Sequence, residues 1–275
     1  MKKQSILLQA LTVLMTMALA LTGCQNNTTQ QDYNVAQNLT VETVHDTISV
    51  SCDSEDSGIV SGFELGAEVD FPVDGPQPLM DSIKMFVKGE LYHMFDWNYT
   101  EEDYEEMIHL PYKQVCKWDG DNIVTVFLDN YRPLYEKYGL GVGAHYLNLK
   151  IVAQTETFVT YFGEYTWCGA SCSTGYCYYT FRKKDGSLLN SITNMKKIRS
   201  FLKAYPQYKD VFSLMTDDLD LEFLGLLEEG VKCDYLFWPE FPNYNPDEDR
   251  DEIVIPYSEI KPYLSQEAQE LIQND

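Results

Sequence analysis

The chain has 275 residues, of which 44% are hydrophobic and 13% are aromatic. This length suits one large domain or two small ones, and this hydrophobic content excludes global disorder. The formal charge is −23, from 43 acidic and 20 basic residues. Such an excess of negative charge argues against nucleic acids and anionic bilayers as partners and favours cationic partners. The alternative is an acidic surface that only keeps the protein soluble.

The first 23 residues have the features of a secretory signal peptide. Two lysines stand at positions 2 and 3, a mostly apolar run extends to residue 21, and Thr22 and Gly23 precede Cys24. So short an apolar run after positive charges predicts cleavage rather than a membrane span. The ending resembles the bacterial lipobox, and this predicts that Cys24 is diacylated and becomes the first mature residue. An ordinary signal peptide with a chance cysteine is the alternative.

Lipidation of Cys24 predicts the location of the mature protein. The acyl chains would anchor it to a membrane by burying their methylenes. We therefore expect a lipoprotein of the bacterial cell envelope that faces the periplasm or the exterior. Removal of residues 1–23 takes away two lysines and leaves a formal charge of −25.

The rest of the chain alternates between strand-like and helix-like patterns. Residues 24–38 are polar and of low complexity, which predicts a flexible tether after the lipidated cysteine. Apolar residues at every second position predict strands, and a spacing of about 3.6 residues predicts helices. The predicted strands are 39–50, 59–73, 146–155, 157–165, 176–182, 231–238 and 252–257. The predicted helices are 79–94, 100–108, 122–138, 194–204, 214–227 and 265–273.

The order of these elements predicts an α+β fold. Strands and helices come in blocks, which favours antiparallel sheets with helices packed on one face over a repeat of strand–helix–strand units. The period switches to two after residue 143, so we expect two consecutive α+β subdomains, residues 39–143 and 144–275. The stretch between the strands 157–165 and 176–182 is predicted as a long loop.

Six cysteines follow Cys24, and three of them lie within ten residues. An even number in an exported protein favours disulfides, but spacing leaves the connectivity open. A zinc site is the rival, although the cluster lacks a Cys-x2-Cys pair and has no histidine near it. We predict at least one disulfide within the cluster or from the cluster to Cys233. The candidate disulfide cysteines are Cys52, Cys116, Cys168, Cys172, Cys177 and Cys233.

The sequence contains none of several common catalytic motifs. It has no phosphate-binding Gly-Lys-Ser/Thr loop, no His-Glu-x-x-His and no dinucleotide glycine fingerprint. The segment 169–173 begins like a nucleophile elbow but lacks its last glycine, and a strand follows where a helix is needed. The four histidines show no ligand spacing. We therefore expect no enzyme, no cofactor and no metal. A hydrolase that uses a carboxylate pair stays an alternative, because acidic residues are abundant.

An acidic loop and two tryptophans are candidates for binding. Residues 247–252 offer oxygen ligands for Ca²⁺, but they lack the glycine and the spaced aspartates of a calcium loop, which favours a solvated loop. Trp167 and Trp238 stand beside the cysteine stretch and the acidic loop, where their rings could stack on a sugar. Core or rim packing is the alternative for both.

The order of motifs resembles one known family. A tyrosine-rich strand pair, a Gly-Ala loop, a Lys-Asp-Gly-Ser hairpin and a helix occupy 157–204, and Ile-Val-Ile-Pro-Tyr-Ser-Glu-Ile-Lys-Pro-Tyr-Leu closes the pattern at 253–264. This resembles a domain of unknown function that lies outside the membrane in a lysozyme-sensing anti-sigma factor. The same domain lies ahead of the catalytic part in some peptidoglycan deacetylases. The resemblance would cover about residues 39–265.

The resemblance implies a binding module rather than an enzyme. In the family the loop usually reads Gly-Gly-Ala-His, and the matching positions here read Cys-Gly-Ala-Ser from Cys168 onward, so a role tied to that histidine does not carry over. The candidate binding residues are Trp167, Gly169, Ala170, Ser171, Tyr176 and Trp238. The chain looks like the extracytoplasmic module alone, without a sigma-binding segment, a spanning helix or a deacetylase domain.

Taken together, the sequence predicts a non-enzymatic, lipid-anchored envelope lipoprotein. Its expected partner is a cationic, lysozyme-like protein or a peptidoglycan fragment, and not a nucleic acid. The alternatives are a carboxylate-based carbohydrate-active hydrolase and a purely structural envelope lipoprotein.

Overall fold

The computed structural model of the protein describes eight parts of the chain. They are residues 38–53, 60–93, 122–138, 143–169, 171–193, 195–206, 224–233 and 254–273. The predicted features outside them are the signal peptide, Cys24, nearly all of the tether, the helix 100–108, Cys116, Ala170, most of the helix 214–227, the second half of the strand 231–238 with Trp238, and the acidic loop 247–252.

Five long strands form one sheet in the order β1-β2-β3-β4-β5. Their bounds are β1 Thr40–Asp53, β2 Val60–Asp74, β3 Gly143–Gln154, β4 Phe158–Cys168 and β5 Cys172–Arg182. Neighbouring strands are antiparallel except for β2 and β3, which are parallel. A parallel pair needs a long crossover connection, and residues 75–142 provide it. The predicted α+β fold is confirmed, and the parallel pair is a feature that the sequence pattern did not reveal.

Two helices within this crossover pack on one face of the sheet, which we call the helix face. Helix α1 is Gln77–His93 and helix α2 is Ile123–Tyr138. Their apolar residues recur at helical spacing and are buried against alternate residues of the strands. The most deeply buried members are Leu79, Ile83, Val87, Leu91, Ile123, Phe127, Leu65, Val69, Leu149 and Tyr161. Burial of each such aliphatic side chain stabilises the fold by about 1.5–3 kcal/mol.

The C-terminal part of the chain builds a second core. Its strands are β6 Gly225–Leu226, β7 Gly230–Lys232 and β8 Val254–Pro256, which form an antiparallel sheet. Its helices are α3 Met195–Ala204, α4 Tyr257–Ile260, the 3-10 helix Lys261–Tyr263 and α5 Gln266–Leu271. The side chain of Ser265 caps α5 by accepting a hydrogen bond from the backbone N–H of Ala268. Ala153 and Phe158 of the large sheet belong to this second core, so it packs against the end of that sheet.

Two local predictions are wrong. The stretch between β4 and β5 is a tight turn rather than a long loop, because β4 continues to Cys168 and β5 begins at Cys172. Residues 225–226 are strand rather than the end of a helix, and Gly230 begins β7 instead of capping that helix. In both places the local sequence pattern did not reveal the pairing with a neighbouring strand that keeps the backbone extended.

The predicted boundary between the two subdomains falls at the start of β3, and the large sheet continues across it. The division at residues 143/144 stays a prediction. Among the residues that the structure describes, no helix is long and apolar enough to cross a membrane.

Candidate functional site

A disulfide closes the hairpin of β4 and β5. Cys168 and Cys172 are cross-strand partners, their Cα atoms are 3.9 Å apart and their sulfur atoms are bonded. The predicted disulfide within the cysteine cluster is confirmed. Cys177 and Cys233 carry thiols, and Cys233 is buried. The side chain of Cys52 lies outside the described part of the chain.

The structure divides the predicted binding residues between two surfaces. Trp167 pairs with Ser173 across the hairpin, whereas Tyr176 pairs with Glu164. Because side chains alternate along a strand, the rings of Trp167 and Tyr176 point to opposite faces of the sheet. The Trp167 side chain is 44% exposed, and Tyr176 is buried.

Gly169 and Ser171 lie in the turn that joins the two strands, and both are exposed. The backbone N–H of Gly169 donates to the carbonyl of Ser171 at 2.9 Å. Thr166 and Thr174 pair just before the turn, with 3.3 Å between their hydroxyl oxygens. We call residues 166–169 and 171–175 the hairpin tip.

The surface of the large sheet opposite α1 and α2 carries a group of carboxylates, and we call it the polar face. Strand β2 places Glu64, Glu68 and Asp70 on this face because their spacing is even. The register aligns Glu68 with Asn148 of β3 and Asn148 with Glu164 of β4. Strand β1 adds exposed polar side chains, namely Thr43, His45, Thr47 and Ser49. The result is a polar surface across four strands, and its carboxylates, which stand on β2 and β4, form an acidic patch.

Lys150 lies within this acidic patch. Its ammonium is 2.7 Å from a carboxylate oxygen of Glu68, and both side chains are nearly half exposed. The hydrogen bond to Glu68, together with the negative charges of Glu68, Asp70 and Glu164, raises the pKa of Lys150. The lysine is therefore charged at any physiological pH, and it neutralises only part of the patch.

Two carboxylates of the patch are held in place by neighbouring strands. Asp70 accepts a hydrogen bond from the Thr43 hydroxyl at 2.7 Å and another from the backbone N–H of Ile151 at 2.9 Å. Glu64 accepts a hydrogen bond from the hydroxyl of Tyr146. The carboxylates thus have defined directions before any partner arrives.

Tyr146 lies flat across Gly66 on the polar face. A Cβ atom at Gly66 would stand 2.9 Å from a carbon of the Tyr146 ring, so the glycine makes room for this ring. The hydrogen bond to Glu64, partial burial and the charge of Glu64 raise the pKa of Tyr146 to about 12. The ring is 37% exposed and borders the carboxylates.

A cluster of three aromatic side chains borders the acidic patch where β4 and β5 lie. The rings of Phe162 and Tyr176 are stacked, with centroids 5.8 Å apart and planes 14° apart. Tyr178 packs beside them and touches Gly225 of β6. The second sheet therefore covers this edge of the polar face and leaves Tyr176 and Tyr178 buried.

The helix face holds a half-buried pair of tyrosines. The Tyr165 hydroxyl donates to a carboxylate oxygen of Glu90 on α1 at 2.5 Å, and it lies 2.9 Å from the Tyr179 hydroxyl. Burial is the main cause that raises the pKa of both tyrosines far above the ordinary value for tyrosine, and the negative charge of Glu90 is the second. Both phenols stay protonated at physiological pH, so they tie the hairpin to α1 and offer no nucleophile or base.

The described residues include one shallow cavity, whose lining bears on the carboxylate-pair alternative. Within these parts of the chain, no group of three or more histidine, cysteine, aspartate or glutamate side chains could hold a metal ion. A shallow cavity of about 320 Å³ lies beside Phe201, Tyr205 and Tyr263, and its lining contains one carboxylate, Glu259. Hydrolysis of a glycosidic bond uses two carboxyl groups, which this cavity does not provide.

Sequence reasoning missed the polar face. Its signal was present, because the polar residues that alternate with the buried ones in β2 are nearly all acidic. The sequence of β2 alone did not reveal that Asn148 of β3 and Glu164 of β4 lie beside these acidic residues.

The comparisons with known proteins give a distant structural likeness. No family model and no curated protein matches this sequence. Among solved structures, the chain is similar to a DUF3298 family protein from Pseudomonas aeruginosa PAO1, with 12% identity, a TM-score of 0.49, and coverage of 86% of this chain and 98% of that one. It is also similar to a DUF3298 family member from Bacteroides fragilis NCTC 9343, with 14% identity, a TM-score of 0.48, and coverage of 86% and 100%. Likeness at this level assigns neither a family nor a function to the chain.

Proposed function

We propose that this chain is a non-enzymatic, lipid-anchored envelope protein that binds a cationic protein through the polar face of its large sheet. The observation that carries the proposal is the acidic patch of Glu64, Glu68, Asp70 and Glu164. The lipobox-like sequence before Cys24 supports the anchor, and the formal charge of −25 after removal of the signal peptide favours a cationic partner.

The patch is suited to basic side chains because its carboxylates are already oriented. Asp70 is held by Thr43 and by the backbone of β3, and Glu64 by Tyr146. Groups that need no reordering on binding lose less conformational entropy, which favours affinity. Arginine in particular pairs with fixed carboxylates through two parallel hydrogen bonds.

The dimensions of the face favour a protein over a small ligand. Five strands about 4.8 Å apart and about 33 Å long give the whole face an area of roughly 600 Å², of which the second sheet covers the part beside Tyr178. A standard protein interface buries about 800 Å² on each partner. The carboxylates stand on a broad surface in contact with water, and such a site lacks the dry, enclosed environment that strengthens catalytic electrostatics.

The first partner to test is a lysozyme-like enzyme. The motifs at 157–192 and 253–264 resemble the extracytoplasmic domain of a lysozyme-sensing anti-sigma factor, and lysozyme carries the charge that the patch requires. Binding dominated by charge depends on salt, because ions screen it over about 8 Å at physiological strength.

Calorimetry of the detergent-solubilised full chain against lysozyme at two salt concentrations tests the proposal. We expect binding that weakens as salt rises, and we expect the triple variant Glu64→Gln, Glu68→Gln, Asp70→Asn to lose most of it. The matched control is Glu42→Gln, Glu228→Gln, Glu229→Gln, which removes the same charge from exposed positions outside the patch. Absence of binding, or equal losses in the two variants, would overturn the role of the polar face.

A further inference from the structure

The hairpin tip carries an exposed indole in an uncharged part of the chain. Residues 165–181 contain no lysine, arginine, aspartate or glutamate, although 23% of the whole chain is charged. Glu164 and Arg182 flank this run. Trp167, within the run, is one of the few large hydrophobic side chains left exposed in the described parts of the chain. The run itself thus presents an aromatic surface and carries no charge of its own; on the same face Glu90 of α1 bonds to Tyr165, and His145 of β3 is paired with Trp167.

Small residues leave space around the indole. Ser173 is the direct cross-strand partner of Trp167, and Gly175 is the next residue of β5 on the same face. Added Cβ atoms at Gly169 and Gly175 would meet nothing within 4 Å. The exposed hydroxyls of Ser171 and Ser173 lie on either side of the disulfide that follows Trp167. The tip therefore combines an accessible ring, open space and hydroxyl groups that donate and accept hydrogen bonds.

The backbone of the tip is held rigidly. The pairing of β4 with β5 continues without a register shift to Cys168 and Cys172, and the disulfide fixes this last pair. A platform held in this way loses little conformational entropy when a ligand binds.

The tip lies at the opposite end of the large sheet from Asn38 and Leu39. At their end, the ammonium of Lys183 donates to the side-chain oxygen of Asn38 at 3.1 Å, and the side chain of Gln154 bonds to both backbone groups of Leu39. Strand β4 has 11 residues and spans about 35 Å from that end to the tip.

We propose that the hairpin tip is a second binding site, for a neutral polysaccharide. The apolar face of a pyranose ring stacks on Trp167, and its hydroxyls exchange hydrogen bonds with Ser171 and Ser173. The absence of charge in residues 165–181 favours a neutral ligand over the basic partner proposed for the polar face. The two sites are separate because Trp167 lies on the opposite side of the sheet from the acidic patch.

Calorimetry with two soluble probes, the hexamers of N-acetylglucosamine and of glucose, tests this site in the detergent-solubilised full chain. We expect at least one hexamer to bind, and we expect Trp167→Ala to weaken binding by about tenfold or more, as for the loss of a central aromatic contact. Trp167→Tyr should retain part of the affinity because it keeps a ring. Leu188→Ala, at a position 42% exposed outside the tip, is the matched control and should change nothing.

A second variant blocks access to Trp167 without removing its indole ring. Gly175→Gln adds a side chain in the open space beside Trp167, so we expect weaker binding in a protein with unchanged thermal stability. The proposal is overturned if neither hexamer binds, or if Trp167→Ala and Leu188→Ala bind alike. We expect the Glu64/Glu68/Asp70 variant to bind the hexamer as tightly as the parent chain does. If this variant lost hexamer binding, the glycan would lie on the polar face, and the assignment to the tip would be overturned.

Discussion

The hydroxyl of Tyr165 donates a 2.5 Å hydrogen bond to Glu90 and thereby joins β4 to α1 through the buried side of the sheet. A hydrogen bond to a charged group contributes about 1.5–3 kcal/mol. We expect Tyr165→Phe, which keeps the ring and removes this bond, to lower the free energy of unfolding by about that amount. Urea denaturation measures it. Tyr146→Phe is the matched control, because it removes an exposed bond to Glu64 and should cost about 1 kcal/mol or less. Equal losses would contradict the importance of the buried bond.

The stability of the fold should fall in alkaline solution. Burial and the charge of Glu90 raise the pKa of Tyr165 and Tyr179 above the ordinary value of about 10. Above that pH the unfolded chain loses these two protons while the folded chain keeps them, so unfolding becomes more favourable as pH rises. Below about pH 10 both states are protonated and the contribution of the two tyrosines is fully present.

Urea titrations between pH 8 and pH 11 measure this dependence. The double variant Tyr165→Phe, Tyr179→Phe should show a flatter decline of the free energy of unfolding than the parent chain. Absorbance at 295 nm gives an independent check, since these two phenols should ionise only when the protein unfolds. A native protein with every tyrosine ionised at pH 11 would contradict the burial.

The sequence pattern predicted most of the secondary structure because its signals are local. Period-two alternation in β2, as in Phe63, Leu65 and Val69, identifies a half-buried strand without knowledge of its neighbours. The stripe of α1, which includes Ile83 and Val87, identifies an amphipathic helix in the same way. A disulfide within the cysteine cluster was one of the pairings that the sequence allowed, and its partners, Cys168 and Cys172, are known from the structure.

The relation between distant segments could not be read from such patterns. The parallel pairing of β2 with β3 joins residues about 80 apart in the chain, for example Leu65 and His145. Likewise, Trp167 and Tyr176 were predicted to belong to one set of binding residues, yet the register of the hairpin places them on opposite faces. Register depends on which residues pair, and spacing alone does not determine that.

The Cys168–Cys172 disulfide closes a loop of five residues, so its contribution to stability should be modest. The loop-closure estimate for so short a ring is about 2 kcal/mol. We expect Cys168→Ser with Cys172→Ser to lower the free energy of unfolding by about that amount or less, as measured by urea denaturation. A non-reducing peptide map supplies the control on connectivity. It should link Cys168 to Cys172 and leave Cys177 open to alkylation in the unfolded chain, and a bridge to Cys177 would contradict the structure.

Gly186, in the turn after β5, should tolerate no side chain. Its backbone has a φ of 72°, a left-handed conformation that other residues adopt at a cost, and an added Cβ would collide with the carbonyl of Pro78 at the start of α1. We expect Gly186→Ala to destabilise the protein by about 1–3 kcal/mol, measured by thermal or urea unfolding. Gly175→Ala is the matched control, since its Cβ would meet nothing within 4 Å and its φ is not left-handed. If the two variants unfolded alike, the close approach of this turn to α1 would be wrong.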